Sequence, residues 1–236
     1  MIEIENLTVR YAASDKVPAL DRISLRIESG ERVALFGPNG AGKTTLLLAM
    51  VGLLPPDSGT ITISGITLGK KTLAAIRKKA ALMFQNPDDQ LFMPSVLQDV
   101  EFGPRSCGMD SETVSRQTED VMAALGISGL RDSMTSRLSG GEKRLAALAG
   151  ILVMQPDVIL LDEPTSFLDM RARKELLRYL SGLSQGMLIT SHDIAFASRI
   201  CGRAVLLDGG KILADCGMKE FMNDKKLLSE FGYEDD

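Results

Sequence analysis

Apolar and polar residues alternate along the first thirty positions: Ile2, Ile4, Leu7 and Val9, then Ile23, Leu25 and Ile27. A period of two predicts half-buried antiparallel strands, each with one face on a core. The pattern then changes. Val33, Ala34, Leu35 and Phe36 are apolar on both faces, and a glycine-rich loop and an apolar helix over about 43–53 follow them. Pro55, Pro56, Asp57, Ser58 and Gly59 form a turn cluster, and alternation resumes over 60–63. A further buried strand is predicted over 80–84.

From 96 to 154 the pattern is helical, without a strand signal. Val114, Val121, Met122 and Leu125 recur at helical spacing, and Gly126 is the expected stop. Buried strands return at 158–161, 187–190 and 204–207, with helices near 170–182 and 193–199. Core strands, a helical block and core strands again predict one α/β domain over 1–236 with a helical insertion at about 87–155.

Composition narrows the class. The 236 residues are 44% hydrophobic and 25% charged, proportions that exclude bulk disorder. The longest apolar stretch, 145–154, is about half of a bilayer span. The opening Met-Ile-Glu-Ile-Glu has no basic or apolar leader region, so no signal peptide is expected. Cys107, Cys201 and Cys216 are odd in number and widely spaced, which predicts reduced thiols in an intracellular chain. A net charge of −4 without a basic arm argues against a nucleic-acid partner.

Three strings carry chemistry. Gly37-Pro38-Asn39-Gly40-Ala41-Gly42-Lys43-Thr44 fits G-x-x-x-x-G-K-[ST] between a predicted strand and helix. Its backbone N–H groups suit a polyphosphate, Lys43 would face the β- and γ-phosphates, and the Thr44 hydroxyl would take a Mg²⁺ position. The apolar run at 158–161 delivers Asp162 toward that metal, and Glu163 one residue on can reach an attacking water. Read alone, an acidic pair ending a strand is more often a solvated strand end; downstream of a phosphate loop the ranking reverses. Leu138-Ser139-Gly140-Gly141-Glu142 opens a long helical run, either as a second anion nest or as an ordinary N-cap.

Together these strings resemble the ATP-binding subunit of ABC transporters over nearly the whole chain. The family's D-loop is matched by Ser166-Phe167-Leu168-Asp169 and its switch by Thr190-Ser191-His192-Asp193. The resemblance implies the P-loop NTPase fold of ABC ATPases, with an antiparallel β subdomain and a helical insertion. It implies ATP and Mg²⁺ as cofactors, bound by the loop through Thr45, with Tyr11 stacking on adenine. Glu163 is the implied general base. By the same resemblance His192 would touch the γ-phosphate, and Gln85 would contact metal and water while sensing the membrane subunit. Ser139, Gly140, Gly141 and Glu142 would meet the ATP held by a second ATPase subunit, identical or not, with Asp169 pairing across that dimer.

The string Phe84-Gln-Asn-Pro-Asp-Asp-Gln-Leu-Phe92 is closest to the energy-coupling factor group. Implied partners are therefore a transmembrane coupling protein docking near Gln85 and a substrate-capturing membrane protein, with the chain at the cytoplasmic face of the membrane. Cobalt or nickel is the implied cargo, with a vitamin such as biotin as the alternative. Phe167 stands where a small residue is usual, and Met170 where proline is common. A soluble ABC ATPase would carry a long insertion or a second cassette, which the sequence lacks.

Overall fold

The computed structural model describes residues 1–12, 14–166 and 168–233; Phe167 lies outside them. In chain order the elements are β1 (Ile2–Val9), β2 (Leu20–Ile27), β3 (Arg32–Phe36), α1 (Lys43–Met50), β4 (Ser58–Ile63), β5 (Ile66–Thr67), α2 (Leu73–Lys79) and β6 (Ala80–Met83). Three helices follow: α3 (Val96–Ser106), α4 (Ser111–Ala124) and α5 (Gly140–Leu152). The rest is β7 (Val158–Leu161), α6 (Met170–Gly182), β8 (Gly186–Thr190), α7 (Ile194–Ala197), β9 (Arg203–Asp208), β10 (Lys211–Gly217), α8 (Met218–Asn223) and α9 (Lys225–Glu230).

The chain divides into two compact units. The first comprises 1–82, 157–163 and 184–236. It holds a four-stranded sheet of order β2-β1-β4-β5 and a six-stranded sheet of order β10-β9-β3-β8-β7-β6. The alternation of the first thirty residues sets the register of the smaller sheet: Ile2 lies opposite Ile27, Ile4 opposite Leu25 and Leu7 opposite Ile23, antiparallel. In the larger sheet β3 runs parallel to both β8 and β9, and β7 parallel to β8.

Between the sheets α1 is buried almost all round, with Leu46, Leu47, Ala49 and Met50 fully enclosed. It ends at Met50, three residues before the predicted end at about 53. Gly52 adopts φ 66° and turns the backbone out of the helix, a left-handed conformation that glycine takes without steric cost.

The second unit, 83–156 and 164–183, contains α3, α4, α5 and α6. Its helices start where side chains satisfy orphan backbone donors. Ser95 accepts from Gln98 N–H, Asp110 from Thr113 N–H and Asp169 from Ala172 N–H. Val96, Val100, Val114, Leu148 and Leu176 form its apolar interior. Helix α4 ends one residue before the predicted position, with Gly126 at φ 70°. The switch helix is only one turn, Ile194–Ala197, capped by the Asp193 carboxylate on Phe196 N–H.

Candidate active site

Because β3, β7 and β8 are parallel neighbours, their C-terminal ends share one sheet edge. Phe36 ends β3 and leads into the glycine loop; Leu161 delivers Asp162 and Glu163; Thr190 delivers Ser191 and His192. The loop must pass close to other backbone. A Cβ on Gly37 would lie 2.0 Å from the Leu207 carbonyl oxygen, and one on Gly42 would lie 2.7 Å from that of Ala19. Gly42 is the N-cap of α1 with φ 106° and no side-chain cap, so the first N–H groups of α1 face out of the helix end. That is an anion-binding terminus. Asn39 and Gly40 form its exposed tip, while Ala41 and Thr45 are buried beneath it.

The side chains converge. Lys43 is buried, and its Nζ donates to the carbonyls of Gly37 at 2.6 Å and Pro38 at 3.1 Å. His192 Nε2 lies 3.3 Å from Lys43 Nζ and 3.2 Å from Glu163 Oε1. The His192 backbone N–H donates to Glu163 Oε2 at 3.3 Å. Thr44 Oγ1 donates to Asp162 Oδ2 at 2.8 Å. Tyr11 is exposed, its hydroxyl 2.7 Å from Thr45 Oγ1.

Burial perturbs the titratable groups. Desolvation raises the Glu163 carboxyl above its ordinary value, against the pull of Lys43 and the His192 N–H. Desolvation lowers the Lys43 ammonium, opposed by Glu163 and Asp162. Desolvation and the Lys43 charge lower His192 below its ordinary 6.5, so the imidazole is neutral at pH 7. Glu163 also sits at φ 44°, a left-handed conformation that costs on the order of 1–3 kcal/mol for a non-glycine residue.

The donor set fits a magnesium ion. Thr44 Oγ1 and Asp162 Oδ2 are hard oxygens brought to one point. No cluster of three or more His, Cys, Asp or Glu that could cage a metal exists among the described residues. Magnesium is commonly held by one or two protein oxygens, with phosphates and water completing its shell.

The tyrosine, the loop, Asp162, Glu163 and His192 thus come together in the first unit, and Gln85, Ser139–Glu142 and Asp169 belong to the second. Gln85 is exposed, and its backbone carbonyl accepts from Arg144 at 2.8 Å. At the signature turn the Glu142 carboxylate accepts both Ser139 N–H at 2.8 Å and Ser139 O–H at 2.7 Å. The turn is therefore capped by its own glutamate. A cavity of about 330 Å³ beside it is lined by Gly140, Gly141 and Asp169 among others.

The ABC transporter family model matches residues 20–166. The chain belongs to the ABC transporter family. This ABC ATPase is 40% identical over 233 residues to the energy-coupling factor transporter ATP-binding protein EcfA of Methanothermobacter thermautotrophicus, covering 97% of this chain and 74% of that one. It is 41% identical over 227 residues to the cobalt import ATP-binding protein CbiO of Rhodobacter capsulatus, covering 94% and 81%. The cbiO1 structure from Clostridium perfringens, part of the ABC transporter complex cbiONQ, superimposes with a TM-score of 0.84 at 33% identity, covering 97% and 93%. The chain is an ATP-binding subunit that hydrolyses ATP.

Two contacts go beyond the motifs, one made by the first residue of the switch string. Thr190 is fully buried; its hydroxyl donates to Asp162 Oδ1 at 2.7 Å and accepts Glu163 N–H at 2.8 Å, tying the two acidic residues to β8. Its place at the end of an apolar run beside the switch histidine was the available signal. Tyr233 bonds Gly37 from 196 positions away, a contact that no local pattern announces.

Proposed function

We propose that this chain is the ATPase of an energy-coupling factor type importer whose cargo is cobalt or nickel ions. The observation that carries the cargo is the likeness to a cobalt import ATP-binding protein over 94% of this chain. The likeness to EcfA supports the transporter type. No helix among the described residues is long and apolar enough to cross a membrane. The cargo therefore passes through partner subunits, a transmembrane coupling protein and a substrate-capturing protein, with this chain peripheral at the cytoplasmic face.

In this reading the loop amides and Lys43 bind the β- and γ-phosphates, and Thr44 and Asp162 hold magnesium. The ion, when bound, supplies positive charge against the phosphate oxygens. Glu163 accepts the proton of the attacking water, and neutral His192 holds the carboxylate and γ-phosphate in register. Gln85 would contact metal and water and report on the docked membrane subunit, the role that the family resemblance gives it. Ser139, Gly140 and Gly141 of one copy complete the ATP site of a second, with Asp169 at the seam. The Ser139 hydroxyl then exchanges Glu142 for a phosphate oxygen.

The test is to isolate the tagged chain from native membranes, identify integral membrane proteins that accompany it, and measure radioactive cobalt and nickel uptake by the reconstituted set. ATP-dependent metal uptake, lost on Glu163→Gln, supports the reading. Uptake of biotin or another vitamin instead replaces the cargo, and recovery without any membrane protein overturns the transport role.

A further inference from the structure

The C-terminal segment grips the phosphate loop from behind. Phe36, the residue before the loop, is stacked by Phe221 with centroids 4.9 Å apart and planes at 10°. Tyr233 meets the same ring edge-on at 5.6 Å. Its position is built rather than incidental. The Asp224 carboxylate caps α9 on Leu227 N–H, and Gly232 turns the chain at φ 68°. Tyr233 N–H then returns to the Leu228 carbonyl at 2.8 Å.

From there the Tyr233 hydroxyl accepts Gly37 N–H at 2.9 Å and donates to the Gly37 carbonyl at 3.2 Å. That carbonyl is also an acceptor of the Lys43 ammonium. The tyrosine ring lies 6.4 Å from the His192 ring, with planes at 23°. Burial raises the Tyr233 phenol, so it stays protonated and keeps its donor.

We propose that Tyr233 is a positioning residue for ATP hydrolysis, with two separable parts. The inference rests on the phosphate-loop reading above. The hydroxyl pins Gly37 at the point where the loop leaves β3. Lys43 must release the Gly37 and Pro38 carbonyls to reach a phosphate, and a buried carbonyl without a donor resists that release. Tyr233 keeps the Gly37 carbonyl bonded, which lowers the cost of freeing the lysine. The ring is a shelf that limits rotation of His192 against Glu163.

Tyr233→Phe removes only the hydroxyl, and Tyr233→Ala removes both parts. Binding of Mg-ATP to each purified variant is measured by calorimetry, with kcat, KM and Tm alongside. Tyr233→Phe should weaken binding about tenfold, the worth of one hydrogen bond, with a smaller effect on kcat and a fall in Tm of no more than about 5 °C. Tyr233→Ala should add a loss of roughly tenfold in kcat through the freed histidine. Wild-type affinity in Tyr233→Phe overturns the proposal, as does a binding loss that merely follows a fall in Tm. If Tyr233→Ala does not fold, Tyr233→Phe alone decides. Lys43→Ala runs in parallel. Undiminished ATP binding there would break the phosphate-loop reading itself, whereas its loss beside a silent Tyr233→Phe breaks only the tyrosine's role.

Discussion

Replacing Glu163 by glutamine separates catalysis from architecture, because the two should move in opposite directions. The amide keeps the length of the side chain and an oxygen to accept His192 N–H, now 3.3 Å from Oε2. It cannot take a proton from water. General-base catalysis supplies about 10²–10⁴-fold, so kcat should fall by that factor, about 2.7–5.4 kcal/mol of transition-state stabilisation. ATP affinity should change little, since Lys43, the loop amides and Asp162 remain. Stability should rise. Burial raises the Glu163 carboxyl, so whatever it contributes to stability is present at acid pH and is lost as pH rises through its folded value. Once ionised, the carboxylate is a net cost that the neutral amide removes, so the Tm gain over wild type should grow as pH rises from 4 to 7 and close again toward pH 4. Steady-state turnover, Mg-ATP calorimetry and thermal melts at the two pH values read all three. Near-normal turnover refutes the assignment. A turnover loss accompanied by lower Tm and weaker ATP binding refutes it equally, because it would describe damage rather than a missing base.

Four further outcomes follow from the same geometry. The pH profile of kcat/KM should be a bell narrowed from both sides, its acid limb above 4.5 because Glu163 is raised and its basic limb below 10.5 because Lys43 is lowered; limbs at those ordinary values would contradict the burial argument. Thr190→Val removes a hydrogen bond to a carboxylate and strands a buried N–H, so Tm should drop by about 5 °C or more with turnover, and Thr190→Ser should restore both; a silent valine would refute the bridge. Phe92 is 63% exposed and packed edge-on against Phe102 at 4.8 Å, so Phe92→Glu should weaken membrane-partner capture at least tenfold with ATP affinity intact; equal loss of both would make it a core residue. In the Glu163→Gln chain, Mg-ATP should convert monomer to dimer by light scattering, and an unchanged mass would contradict the shared site.

What was legible in the sequence is what is contiguous. The phosphate loop is a strand, a turn and a helix in one string, and the apolar runs that end at Leu161 and Thr190 have the strict burial of central parallel strands. The end of α1 was not legible, because Val51, Leu53 and Leu54 prolong the apolar run past the glycine that stops it. Strand β10 escaped because it is an edge, half-exposed throughout, with no fully buried face to mark it. The tail was invisible for the same reason as the Thr190 bridge: its meaning lies in partners far along the chain.

These long-range contacts bear the cost of the chemistry. Glu163 is held in a left-handed backbone conformation with its carboxyl raised, beside a lysine whose ammonium is lowered. Each departure opposes folding, and within its own motif only the lysine finds partners, the carbonyls of Gly37 and Pro38. The Thr190 hydroxyl anchors the strained residue through its N–H, and the aromatic clamp of Phe221 and Tyr233 on Phe36 anchors the loop that presents the lysine. A phosphate loop and an acidic strand end can each arise in isolation. Both become a working site only where a second strand and a distant tail over-determine conformations that the local sequence would abandon.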